Sequence, residues 1–378
     1  MASIAAAAEG LQEPAAASGA KASAPAELWV TGGASLLLLP LCWLLQRLLG
    51  LDSAELAVGF TTFYAAHVIN DPHFAVTYLL FYRDVRSRLG SRGYAPAQRL
   101  RYAIAGFVAP LALLAWAVSA LAMQSARSLG WMTQLMFLLV GWHYVKQGFG
   151  VVTVLSARRG KSYGLAERRA LLAHGFTGWA YAWASPHDPG RTVEEKGVIF
   201  TTLSHPSWIE PLTRLAFFAS VAPLALLLLR KWRSEGALPV APLLGFLASV
   251  WLWTVYSGID PLFMYLIPAL HSLQYLYFVW LMKRNRARAH EGPPSFGRPV
   301  GLVLGAWAVS SILLGGLLFH LLPSALDDAL VDRRALRFSD LGPTPYFAAL
   351  FTVLNLHHYF MDAVLWRRDN PETRYLRS

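Results

Sequence analysis

The chain has 378 residues, 55% of them hydrophobic and 15% charged, with 14 Trp, a mean hydropathy of +0.40 and a formal net charge of +11. This is too apolar for a soluble enzyme and reads as an all-α, polytopic integral membrane bundle. The basic residues sit between apolar segments rather than on one face, so no nucleic acid partner follows. The single cysteine, Cys42, excludes a disulfide framework, a Cys-based zinc site and an iron–sulfur cluster.

Residues 1–27 are Ala-rich and lack the basic start and short apolar run of a signal peptide, which predicts a disordered cytoplasmic tail. Residues 28–366 form the transmembrane domain, with about ten helical spans near 28–46, 54–82, 102–124, 130–157, 170–186, 212–229, 238–256, 261–282, 300–323 and 344–366. Apolar segments this long cannot be barrel strands. Asp260 before Pro261 reads as a helix cap followed by a first-turn proline. Two longer loops, near 187–211 and 324–343, carry acidic residues and prolines and are placed to cap the bundle. Residues 367–378 form a basic cytoplasmic tail. Most of the 33 Lys and Arg follow the even-numbered spans, from Arg83, Arg86 and Arg88 after the second to Arg367 and Arg368 after the tenth. By the positive-inside bias both termini are cytoplasmic, and a bacterial inner membrane is the expected location. The sequence shows no strong internal repeat, Gly-rich phosphate loop, Walker motif or GxSxG elbow.

The informative residues are polar ones inside spans, since a charge at bilayer depth costs about 2.5–3.5 kcal/mol. The second predicted span carries His67, Asn70, Asp71 and His73. The fourth carries His143, Lys146 and Gln147, the eighth His271, Gln274 and Tyr275, and the tenth Asn355, His357, His358 and Asp362. All four are even-numbered and therefore parallel. Counted back from their basic ends, these histidines fall in a layer about 12 to 22 Å deep. His67 with Asp71, His143 with Gln147, His271 with Tyr275 and His358 with Asp362 are i,i+4 pairs, each on one helix face. His174 and His320 read as interhelical hydrogen-bonding groups, and His187, His205 and His290 as solvated loop residues.

Imidazoles together with carboxylate and amide oxygens suit non-haem iron, or another divalent transition metal, that activates dioxygen. Such a centre inside the bilayer would act on a lipid-soluble substrate. The expected ligands are His67, His143, His271 and His357 or His358, with His73 as a further candidate. Asp71 and Asp362 would orient ligands, with Gln147, Gln274 and Tyr275 supporting them or bound oxygen, and Lys146 serving the chemistry or balancing a buried carboxylate. The same residues also fit a proton-coupled transporter with a His, Asp71, Lys146 and Asp362 relay, a cytochrome with two axial histidines, or an assembly scaffold.

At these residues the sequence resembles the Brp/Blh family of β-carotene 15,15'-dioxygenase-like integral membrane proteins. The matching pieces are His67 with Asp71, Trp142-His143-Tyr144, His271-Ser272, and His357 with Asp362, in the family's order. Tyr275 stands where the third motif has a second His, and the Pro-His pairing occurs only as Pro72-His73. The resemblance implies an oxidoreductase, a dioxygenase, monooxygenase or hydroxylase, with iron held by histidines and a carotenoid, isoprenoid or other lipid as substrate.

Overall fold

A computed structural model describes residues 24–90, 93–184, 190–331, 340–367 and 370–376. Its principal helices are α1 (Ser35–Leu49), α2 (Leu51–Ala66), α3 (Asn70–Tyr82), α4 (Ala109–Ala122), α5 (Ala126–Arg158), α6 (Leu165–Trp183), α7 (Ile209–Glu235), α8 (Val240–Leu247), α9 (Pro261–Glu291), α10 (Val300–Gly316), α11 (Leu322–Leu330) and α12 (Pro345–Leu365). Short π-helical stretches occur at Trp29–Gly33, Ile104–Val108, Ala248–Val255 and Leu317–Leu321. Among the described residues the all-α expectation holds apart from one hairpin.

Among the described residues five helices are long and apolar enough to cross a membrane: Pro96–Ala122, α5, α7, α9 and Val300–Leu330. The pair Pro25–Gly33 and α1, bent by 58°, makes a sixth if counted as one span. That composition indicates an integral membrane protein, with fewer qualifying helices than the ten expected. The shortfall has local causes. The segment expected at 54–82 is split into α2 and α3, because Pro72 in the first turn of α3 disfavours helix just before it and Ile69 leaves the helical region at φ −123, ψ −62. The helix α6 opens on Glu167, Arg168 and Arg169, and α12 carries Asn355, two histidines and Asp362.

The central helix α9 packs against α1, α2, α3 and α10. Its start is capped as expected, with Asp260 Oδ1 accepting from the backbone N–H groups of Leu262 and Phe263, each at 2.9 Å. One apolar cluster joins Val76 and Leu80 of α3, Val151 and Leu155 of α5, Phe278 and Met282 of α9, and Met361 and Val364 of α12. Every one of these residues lies C-terminal to the buried histidine of its own helix, so the four helices run in the same direction. In lipid such bundles are held by close van der Waals packing rather than by expulsion of water. The cluster thereby fixes the rotation of all four helices and the direction of the polar side chains above it.

Two glycines allow backbone contacts that set the site. A Cβ on Gly245 of α8 would meet the Thr31 carbonyl oxygen at 2.5 Å, so its absence lets the Trp29–Gly33 stretch lie against α8. A Cβ on Gly315 of α10 would meet the Asp71 carbonyl carbon at 2.8 Å, and its absence brings α10 onto the first turn of α3.

The segment expected as a loop at 187–211 contains strands β1 (Thr192–Glu195) and β2 (Val198–Thr201), paired antiparallel. Lys196 and Gly197 join them at positive φ, as a tight two-residue hairpin turn requires. Val198 and Phe200 are buried with Leu129, Met132 and Ala348, so the hairpin caps that end of α5 and α12. The two predicted tails are packed where they are described. Ala24–Leu28 is helical and Glu27 pairs with Arg159, while Pro371–Leu376 forms a 3-10 turn whose Leu376 carbonyl accepts from Arg158 at 2.9 Å. The rest of the predicted N-terminal tail, residues 1–23, together with 368–369, 377–378 and His187, lies outside the described residues.

Candidate metal centre

Four helices each place one imidazole at a common point: His73 from α3, His143 from α5, His271 from α9 and His358 from α12. All are between 0% and 4% exposed, and ligating atoms from the four lie within 4.8 Å of one another. His143 Nε2 and His271 Nε2 are 3.2 Å apart. Asp362 Oδ2 approaches His358 Nε2 to 3.3 Å and His143 Nε2 to 3.7 Å. The aromatic rings of Phe74, Tyr144 and Tyr359 pack against the imidazoles and wall the site.

The surrounding hydrogen bonds direct lone pairs inward. Ser272 donates its only hydroxyl proton to Asn70 Oδ1 at 3.1 Å, so its contact with His73 Nδ1 at 3.2 Å makes the ring nitrogen the donor. His73 Nε2 is then left with a free lone pair, the tautomer control that a ligating His needs. Asp362 Oδ1 accepts from Tyr275 OH at 2.8 Å and from Trp366 Nε1 at 3.2 Å, leaving Oδ2 for the site. Tyr275 is held in turn by Thr77 Oγ1 at 2.6 Å. Gln147 donates to the His271 carbonyl at 3.0 Å and to Gln274 Oε1 at 2.8 Å, and Gln274 donates to the Thr31 carbonyl at 2.6 Å. That chain braces α5, α9 and the N-terminal π stretch behind His271.

Unmet hydrogen-bonding demand is concentrated here. Among the described residues His73 Nε2, His271 Nδ1, both nitrogens of His358 and Asp362 Oδ2 are buried without a hydrogen-bond partner. Each such group costs about 1–3 kcal/mol when left desolvated and unpaired. One nitrogen from each of the four imidazoles, with the Asp362 carboxylate beside two of them, makes a donor set that suits a transition-metal cation.

Other sequence-selected residues lie elsewhere. His357, expected as an alternative ligand, sits next to His358 but about 100° round the helix. Its Nε2 donates to the Ala105 carbonyl at 2.9 Å and its Nδ1 accepts from Tyr78 OH at 2.9 Å, so both nitrogens are used. The Ala105 carbonyl belongs to the π stretch of Ile104–Val108, where Gly106 likewise accepts from Tyr82 at 2.6 Å. His67 precedes the break between α2 and α3 and points away from the four-His site. It stacks on His320 with ring centroids 4.0 Å apart, and His320 Nε2 is 2.7 Å from Asp71 Oδ2. His67, Asp71 and His320 therefore form a separate group within 4.8 Å. Lys146 is exposed, its ammonium 5.8 Å over the Phe149 ring, because it lies about 60° round α5 from His143 on the side away from Gln147. His174 is fully bonded between Ser220 and Trp251, at 2.8 and 2.9 Å.

Sequence reasoning did not single out Thr77, and it named Ser272 only as part of the His271-Ser272 motif piece, without a role. Both carried a usable signal: Thr77 is one turn after His73, and Ser272 follows His271 directly. Comparison with protein-family models, with curated proteins and with solved structures finds no match.

Proposed function

We propose that this chain is an integral-membrane non-haem iron oxygenase acting on a lipid-soluble carotenoid, isoprenoid or other lipid. The observation that supports the reading is the convergence of one ring nitrogen from each of His73, His143, His271 and His358 within 4.8 Å, with the buried Asp362 Oδ2 3.3 Å from His358 Nε2. Imidazole nitrogens with one carboxylate oxygen suit iron(II). Bound by these residues, iron supplies the chemistry of dioxygen binding and reduction.

The chain's own groups do the rest. Ser272 holds His73 with its Nε2 lone pair facing inward, and Tyr275 and Trp366 hold Asp362 with Oδ2 facing inward. Phe74, Tyr144 and Tyr359 exclude water from the point of reaction. In this reading the protein spans a bacterial inner membrane about ten times, broken spans included, with its Arg-rich ends and both termini in the cytoplasm. A transmembrane proton relay is less well supported, since Lys146 faces outward.

Elemental analysis of detergent-purified protein tests the proposal. Stoichiometric iron is expected in the native protein and its loss in His143→Ala and His271→Ala, together with loss of oxygen-dependent turnover of a carotenoid or related isoprenoid. Purified protein without a transition metal, or variants that keep both metal and activity, overturn it.

A further inference from the structure

The seam between α3, α9 and α10 encloses an outward-facing groove of about 210 Å³. Its walls are apolar, formed by Pro72 and Val76 of α3, Leu276 and Trp280 of α9, and Ile312 of α10. Lys283 and Trp307 line the same groove. Lys283 is only 3% exposed and its ammonium has no hydrogen-bond partner. It lies 3.5 Å over the Trp307 ring.

The charges around Lys283 do not balance. Among the described residues Arg83, Arg88 and Arg286 act on it with like charge, and the carboxylate of Glu372 acts against them. That carboxylate is already held by Arg286 at 2.6 Å and Arg88 at 3.5 Å. A buried ammonium that rests on an aromatic face and has no hydrogen-bond partner among the described residues calls for an anion in such a basic neighbourhood. The apolar walls call for a hydrocarbon chain on the same molecule.

Leu276, Trp280 and Lys283 recur at three- and four-residue spacing and form one stripe on α9. One turn further along that stripe is Ser272, whose hydroxyl contacts His73 at 3.2 Å. Lys283 and Ser272 are about 16 Å apart along the helix axis. The groove thus leads from an anion-seeking end towards the candidate metal centre.

We propose that the groove binds a single-chain amphiphile whose carboxylate pairs with Lys283 and whose chain runs along α9 towards Ser272 and His73. A carboxylate fits better than a phosphate, because Lys283 lines the groove while Arg88 and Arg286 do not, and one ammonium offers a single point charge rather than a guanidinium fork. Binding rests on the groove and Lys283 alone; its role as the substrate site rests on the oxygenase reading above.

The test uses full-length protein, stripped of metal with a chelator, in nanodiscs of zwitterionic lipid. Quenching of Trp fluorescence by dibromostearate is compared with quenching by dibromostearyl alcohol. The carboxylate is expected to bind about tenfold more tightly than the alcohol. Lys283→Met abolishes that preference and Lys283→Arg retains it. Oleate displaces the probe and phosphatidate does not. Equal affinity for acid and alcohol, a preference that survives Lys283→Met, or equal displacement by phosphatidate overturns the proposal. If Lys283→Met does not fold, Ile312→Trp at the exposed rim decides, with loss of both probes expected and unchanged binding contradicting the groove. Because binding is read on stripped protein and metal content on the protein as purified, a preparation that carries iron but shows no carboxylate preference once stripped sinks the groove alone, and one purified without metal that shows the preference sinks the oxygenase alone.

Discussion

Two groups of metal-ligating side chains meet near the start of α3, and they differ in one respect that decides how each is read. The His73, His143, His271 and His358 group leaves several buried nitrogens and Asp362 Oδ2 without hydrogen bonds. In the His67, Asp71 and His320 group no atom is among the buried unpartnered ones: Asp71 bonds to His320, and His67 Nδ1 bonds to the Phe63 carbonyl at 3.3 Å. Residue type and proximity are nearly the same in both. The protein leaves buried atoms of the first group unmet, whereas in the second it pairs the one buried member, Asp71, leaves the two imidazoles half-buried, and ties α10 to α3 across Gly315. Unmet demand, rather than clustering, is what points to a bound ion.

The comparison breaks most readily at the ligands. Removing His143 or His271 is expected to abolish metal retention through chelator dialysis, whereas His67→Ala leaves metal content at the native level. Equal loss in all three variants, read by elemental analysis, would show that both groups hold metal. The next largest effect falls on the residue that aims Asp362. Tyr275→Phe deletes the hydroxyl on Oδ1 and is expected to weaken metal affinity about 10- to 100-fold with the fold intact, measured by competition with a chelator. No change there would show that Asp362 does not ligate.

The second group should respond in stability instead. His320→Ala leaves the nearly buried Asp71 carboxylate unpaired and is expected to destabilise the protein by about 1–3 kcal/mol, seen as a lower Tm at unchanged metal content. His357→Phe removes two hydrogen bonds at the Ile104–Val108 stretch, with a loss of about 1–2 kcal/mol and full metal loading. Lys146→Ala should be the mildest, within about 0.5 kcal/mol, as befits an exposed side chain. A large loss of metal or activity on replacing Lys146 would restore the relay reading.

Much of the arrangement was legible before any coordinates. Apolar length set the helical class, and histidines at matched depth on parallel spans pointed to one buried layer containing His143, His271 and His358. What the sequence could not resolve was rotation about each helix axis. His357 and His358 are adjacent, and only the packing of Met361 and Val364 into the apolar cluster determines which of them faces inward. The break before Pro72 is likewise visible as a proline but not as a change of direction, so the sequence places His67 among the expected ligands and His73 only as a further candidate. His320 lies in a π-helical stretch, Leu317–Leu321, that no periodicity announces, and its approach to Asp71 depends on a glycine one turn earlier. Helix count suffered for a related reason: polar side chains that serve the interior lower the apolarity of α12, the helix that carries His358 and Asp362.

X-ray absorption at the metal edge of the detergent-purified protein addresses the central claim most directly. Convergence of His73, His143, His271 and His358 predicts an iron spectrum with strong multiple scattering from several imidazole rings, reduced in His358→Ala and unchanged in His67→Ala. A metal-free preparation, or a coordination shell without imidazole scattering, would contradict the account.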